Sequence, residues 1–157
     1  MCRHSMSTVN AKIEIEAPIE QVWETVMNPG RLGDWVTIHK SVRDVSASPL
    51  RRGATMDQSI AVRGVTFRVH WTLVAVDAPN SAQWDGLGPA HSRARIGYAL
   101  SGADARTIFE YTNEFHPPGG RLGDVAGRVI VGAASEHEAH RSLEKLKALV
   151  ESERTSS

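Results

Sequence analysis

Chemistry in this chain would have to come from few residues. The sequence carries no GxSxG elbow, no Walker loop and no GxGxxG, and its single cysteine, Cys2, excludes a cysteine-built zinc site. His39 is the histidine best suited to a pocket role, because it lies close to Trp35 and titrates near neutral pH. In the run Glu136-His137-Glu138-Ala139-His140 two histidines stand one helical turn apart, close enough to share a metal. Their separation is not that of HExxH and no third ligand stands out, so an exposed helix face is expected and no metal or other cofactor is assigned. Strand alternation sends Glu110 and Glu114 to the face opposite Tyr111, and Asp57 away from Gln58. The inner face of the sheet is therefore left without a carboxylate base. What points inward is polar but uncharged: Gln58, Asn113 and the hydroxyls of Tyr98 and Tyr111. Buried amides and phenols without protein partners are costly, so a ligand or water is expected to meet them.

These side chains must be positioned by strands. Val9, Ala11, Ile13 and Ile15 alternate with Asn10, Lys12 and Glu14, the period of a half-buried strand. The period then changes. Pro18 suits a first helical turn, Ile19, Val22, Trp23 and Val26 recur at helical spacing, and Asn28-Pro29-Gly30 stops the helix. A short segment follows, ending in Trp35. Strands are then expected at 41–46, 54–62, 65–77, 82–85, 91–100 and 106–116, separated by short turns. Their inner residues are expected to include Met56, Gln58, Ile60; Val65, Phe67, Val69, Trp71, Leu73; Trp84; Ala94, Ile96, Tyr98; and Phe109, Tyr111, Asn113, Phe115, with Ser92 at the edge or outside. Strands that follow one another through short turns make an antiparallel meander. From Arg121 to Glu151 there is no proline, and a stripe that includes Leu122, Val125, Val129, Ala139, Leu143, Leu146 and Val150 predicts a long closing helix. Gly123, Gly127 and Gly132 fall in its first half. Small residues there would either bring the helix backbone close to the sheet or break the start of the helix, or else leave a gap between helix and sheet, lined by Trp71, Trp84, Tyr98, Tyr111 and Phe115, with Gly127 on the helix side.

The opening carries a resemblance. A strand ending Lys12-Ile-Glu-Ile-Glu-Ala-Pro18, a helix with Val22-Trp23, an Asn28-Pro29 break and then Trp35 resemble the start of the SRPBCC (START-like, helix-grip) superfamily, in particular its polyketide cyclase/dehydrase-like branch. The resemblance implies an α+β helix-grip fold: a curved antiparallel sheet wrapped around a long C-terminal helix, with two short helices after the first strand and a ligand cavity inside. It places Trp35 to Lys40 as a loop over the cavity mouth, which adds Trp35 and His39 to the ligand-binding candidates. It also implies that, if a cyclase reaction occurs, His39, Tyr98 and Tyr111 handle protons. The run Trp35-Val-Thr-Ile-His-Lys40 is similar, too, to a stretch in a member of the superfamily assigned as the toxin of a toxin–antitoxin pair.

With 157 residues, 41% of them hydrophobic and 23% charged, the chain suits one globular domain. A single domain over 9–152 is expected, with a disordered leader at 1–8 and a disordered tail at 153–157; Met6 is a second candidate start. The 18 basic and 18 acidic residues balance, giving no field for nucleic acid. The leader has no apolar run, and no segment reaches the roughly 20 apolar residues of a membrane span, so a cytoplasmic protein without stable membrane insertion is expected. The expected partner is a small hydrophobic ligand, polyketide- or lipid-like, and a homodimer stays open. Three functions compete: a ligand-binding protein, a cyclase or aromatase, and a regulatory protein such as a toxin.

Overall fold

A computed structural model describes residues 7–47, 49–62, 64–116 and 136–155. The chain runs β1 (Ser7–Ile15), α1 (Ile19–Val26), a 3-10 turn (Pro29–Arg31), α2 (Leu32–Trp35), β2 (His39–Arg43), β3 (Thr55–Val62), β4 (Val65–Asp77), β5 (Ser81–Leu87), a second 3-10 turn (Pro89–His91), β6 (Arg93–Ala103), β7 (Arg106–His116) and α3 (Glu136–Thr155). All neighbouring strands are antiparallel, and they form one seven-stranded sheet in the order β1-β7-β6-β5-β4-β3-β2. Six of those strands follow as a meander, and β1 closes the order by pairing with β7, from Ser7 opposite Phe115 to Ile15 opposite Thr107.

Alternation explains the sheet. β3 buries every second residue, Met56, Gln58, Ile60 and Val62, and β7 buries Thr107, Phe109, Asn113 and Phe115. The sheet therefore has one covered, concave face and one wet face. The helices cover it. α3 buries Ala139, Ser142, Leu143, Leu146 and Val150, one stripe at helical spacing. Polar ties fix its far end: the Glu16 amide donates to the Glu151 carboxylate at 2.8 Å, and Lys147 Nζ donates to the Glu14 carbonyl at 3.0 Å. The turn out of β1 is held from the sheet, where the fully buried Thr107 hydroxyl donates to the Ala17 carbonyl at 2.7 Å.

Several expectations shift. β1 starts at Ser7, and α3 continues to Thr155, so both pass the expected domain limits. Pro18 is the residue before α1 rather than part of its first turn. β2 begins at His39, not Ser41, because the chain leaves α2 directly onto β3. Ser92, expected at the edge or outside, is 1% exposed: its hydroxyl donates to the Pro89 carbonyl at 2.8 Å, which turns it inward at the second 3-10 turn. Val65, expected on the inner face, is 45% exposed; it is the first residue of β4, beside the β3–β4 turn. The residues expected to form the first half of the closing helix, Gly127 included, lie outside the described residues.

Candidate functional site

Between the concave face, the α1–β2 segment and the start of α3 lies a pocket of about 130 Å³, more than a water or two would fill. Its floor begins with Trp71 on β4. The indole lies across Gly86 of β5, where any Cβ would come within 2.5 Å of the ring. Without a side chain at Gly86 the ring can settle onto the sheet and leave the space above it open. Trp71 Nε1 then donates to Gln58 Oε1 at 2.8 Å, and Gln58 Nε2 lies 2.9 Å from His39 Nδ1. This chain has one direction. An indole N–H only donates, so the Gln58 oxygen faces Trp71 and its NH2 group faces His39. His39 Nδ1 must therefore accept, which makes the ring neutral with its proton on Nε2. Burial acts the same way, pulling the His39 pKa below its ordinary value.

The opposite wall is aromatic. Leu32 and Trp35, one turn apart on α2, are both buried. Trp35 packs against Tyr98 and edge-on against Phe109, each with ring centroids 6.3 Å apart, and Tyr98 meets its cross-strand partner Tyr111 at the same distance. Asn113 Nδ2 donates to the Tyr111 hydroxyl at 3.2 Å. Among the described residues, two atoms in this wall are buried without a partner, Trp35 Nε1 and Asn113 Oδ1, and each such group costs about 1–3 kcal/mol. Turning the Asn113 amide over would serve its oxygen and strand its nitrogen instead. Among the described residues the Tyr98 hydroxyl has no hydrogen-bond partner. Burial pushes the Tyr98 pKa upward and the Tyr111 pKa up to about 12, so both phenols are protonated donors at neutral pH.

The rim is tied to α3. The Thr37 amide donates to Ser142 Oγ at 3.1 Å and the Thr37 hydroxyl donates to the Glu138 carboxylate at 2.6 Å.

Of the residues named from sequence, Trp35, Gln58, Trp71, Trp84, Tyr98, Tyr111, Asn113 and Phe115 line the pocket. His39 does not; it stands behind Gln58. Gly127 lies outside the described residues. Sequence reasoning missed Leu50, Met56, Ile60, Phe67, Val69 and Ile96 as lining residues, although several share the alternation that singled out Gln58 and Trp71. It also missed Thr37, Glu138 and Ser142. Glu138 was read as part of an exposed helix face, yet it lies next to Ala139 on the inward stripe and one turn before Ser142, so a carboxylate does reach the pocket wall, from the helix and not from the sheet. His137 and His140 are exposed, and among the described residues no group of His, Cys, Asp and Glu is arranged to hold a metal. Nor is any described helix long and apolar enough to cross a membrane.

Comparison with known proteins fits this geometry. Two Mycobacterium tuberculosis proteins named as toxins, from two strains, are each 24% identical over 139 residues, covering 88% of this chain and 94% of theirs. Among solved structures, the Zhui aromatase/cyclase from a Streptomyces species superposes with a TM-score of 0.74 at 17% identity, covering 94% of each chain. A Chromobacterium violaceum protein superposes with a TM-score of 0.70 at 16% identity, covering 92% of this chain and 96% of its own. These structural likenesses carry the helix-grip fold. The family described as polyketide cyclase / dehydrase and lipid transport matches residues 6–151, and the chain belongs to that family.

Proposed function

We propose that the protein binds a small, largely apolar molecule in the pocket between its concave sheet and α3. One observation carries this reading: an open apolar space whose wall holds polar groups without a partner among the described residues, Trp35 Nε1, one amide atom of Asn113 and the Tyr98 hydroxyl. A site built for packing alone would be expected to satisfy them or to replace them with apolar atoms. Family membership supports the same reading. Native mass spectrometry of the purified protein and titration with Nile red, an uncharged apolar dye, test it. A co-purified small molecule or saturable dye binding is expected, and absence of both would overturn the proposal.

Turnover has less support. The two tyrosines are donors rather than bases at neutral pH, His39 is held behind Gln58, and Glu138 is engaged by Thr37. A regulatory role has a specific support of its own, the relatives named as toxins. Induced expression with growth followed over time tests that reading: unimpaired growth at high expression would count against it, and arrest would favour it.

A further inference from the structure

The polar groups of the pocket are not spread evenly. Tyr98, Tyr111 and Asn113 occupy adjacent positions on β6 and β7, with Trp35 packed on Tyr98. The lining from β3 and the first half of β4, Met56, Ile60, Phe67 and Val69, is apolar, and the one amide there, Gln58, is engaged by Trp71 and His39. A molecule filling the pocket would thus meet hydrocarbon at one end and hydrogen-bonding groups at the other.

The chemistry of the polar end is specific. The Tyr98 hydroxyl has no partner among the described residues, and the Tyr111 oxygen accepts from Asn113, which leaves its own hydrogen to be donated elsewhere. Both phenols keep that hydrogen, since burial raises their pKa values. The two rings are cross-strand partners with centroids 6.3 Å apart, and two O–H donors so placed can share one acceptor oxygen through its two lone pairs. A charged oxygen fits less well. Among the described residues, the ionisable ones that line the pocket besides the tyrosines are Glu138 and Arg93. Glu138 is an acid and Arg93 is solvent-exposed, so among the described residues no buried cation offsets a carboxylate carried into this wall.

We propose that Tyr98 and Tyr111, with Asn113 behind Tyr111, form a subsite for the oxygen of an uncharged carbonyl, so that the ligand class is a neutral ketone or quinone with an apolar ring body. The proposal rests on the ligand-binding reading above.

Three probes of one shape separate the two claims: 2-acetylnaphthalene, its alkene analogue 2-isopropenylnaphthalene, and 2-naphthoate, each titrated by quenching of tryptophan fluorescence. The ketone is expected to bind at least about tenfold tighter than the alkene, as two modest hydrogen bonds would give, and naphthoate is expected to bind weakest. In a Tyr98→Phe, Tyr111→Phe double variant the ketone preference should vanish while alkene affinity stays. Equal binding of ketone and alkene by the native protein would overturn the subsite and leave the pocket reading intact. So would naphthoate binding most tightly, or a ketone preference that survives in the double variant. Failure of all three probes to bind would overturn both. The ketone-to-alkene comparison uses the unaltered chain, so a variant that misfolds does not spoil the test.

Discussion

Trp71 rests on Gly86: a Cβ built at the glycine would stand 2.5 Å from Trp71 Cζ3 and 2.6 Å from Cε3. The contact joins a backbone requirement on β5 to the shape of the pocket above it, because the ring that lies across the glycine is also the ring that lines the floor.

Gly86→Ala tests that link. The added methyl cannot coexist with the ring where it now lies, so Trp71 must lift toward the pocket and lose its bond to Gln58. Overpacking of this kind costs about 1–3 kcal/mol. Chemical denaturation should show that loss, and Nile red affinity should fall with it. Unchanged stability together with unchanged dye binding would show that the ring has room to move aside.

Gln58 is the middle of the Trp71–Gln58–His39 chain, and Gln58→Leu should cost more than the loss of its side-chain packing. It leaves a buried indole N–H without an acceptor, a penalty of about 1–3 kcal/mol. In Trp71→Phe the donor is gone, so the Leu substitution should be milder in that background. A double-mutant cycle in urea measures the difference. A coupling energy near zero would mean the 2.8 Å contact contributes nothing to stability.

Much of this was legible in the sequence, for a physical reason. Alternation from Met56 to Val62, from Val69 to Leu73 and from Phe109 to Phe115 can be satisfied by only one register on a sheet with one covered face, so inward residues such as Gln58, Trp71 and Tyr111 follow from period alone. The helix-grip fold and the family followed from the opening stretch. What period cannot supply is contact across distant segments. His39 was selected for its proximity to Trp35, but its place behind Gln58 depends on how β2 meets β3. Glu138 was read within a charged run, and only the docking of the Thr37 loop on α3 puts its carboxylate at the pocket. Ser92 turned inward because a 3-10 turn interrupts the strand alternation it was assigned by.

Thr37 is the point where the rim is fastened to α3. Thr37→Val keeps the side-chain shape and removes the hydroxyl that donates to Glu138. The expected loss is about 1–2 kcal/mol, between that of an ordinary hydrogen bond and that of a bond to a charged group, because the pair is only partly buried. Because Thr37, Glu138 and Ser142 also line the pocket, Nile red should dissociate faster from the variant, a change read by stopped-flow fluorescence. An unaltered denaturation midpoint with an unaltered off-rate would dismiss the fastening role.

His39 gives the fold a pH dependence whose sign is fixed by its surroundings. Burial lowers its pKa in the folded protein, and a proton on Nδ1 would set two donors, that N–H and the Gln58 amide, against each other. The unfolded chain has a histidine of ordinary pKa, about 6.5. Between that value and the lower folded pKa the unfolded state binds more protons, so stability rises with pH across the window. The contribution is present in full above about pH 6.5 and is lost as pH falls through the folded pKa. The chain has seven histidines, so the effect must be isolated by difference. His39→Asn offers an amide oxygen near the position of Nδ1 and does not titrate. Subtracting its denaturation free energy from that of the native protein at a series of pH values between 7.5 and 5 should give a difference that falls on acidification, with a slope of at most about 1.4 kcal/mol per pH unit. A difference that instead grows on acidification would show His39 charged in the folded state, with Nδ1 as a donor, and would reverse the direction of the Gln58 amide.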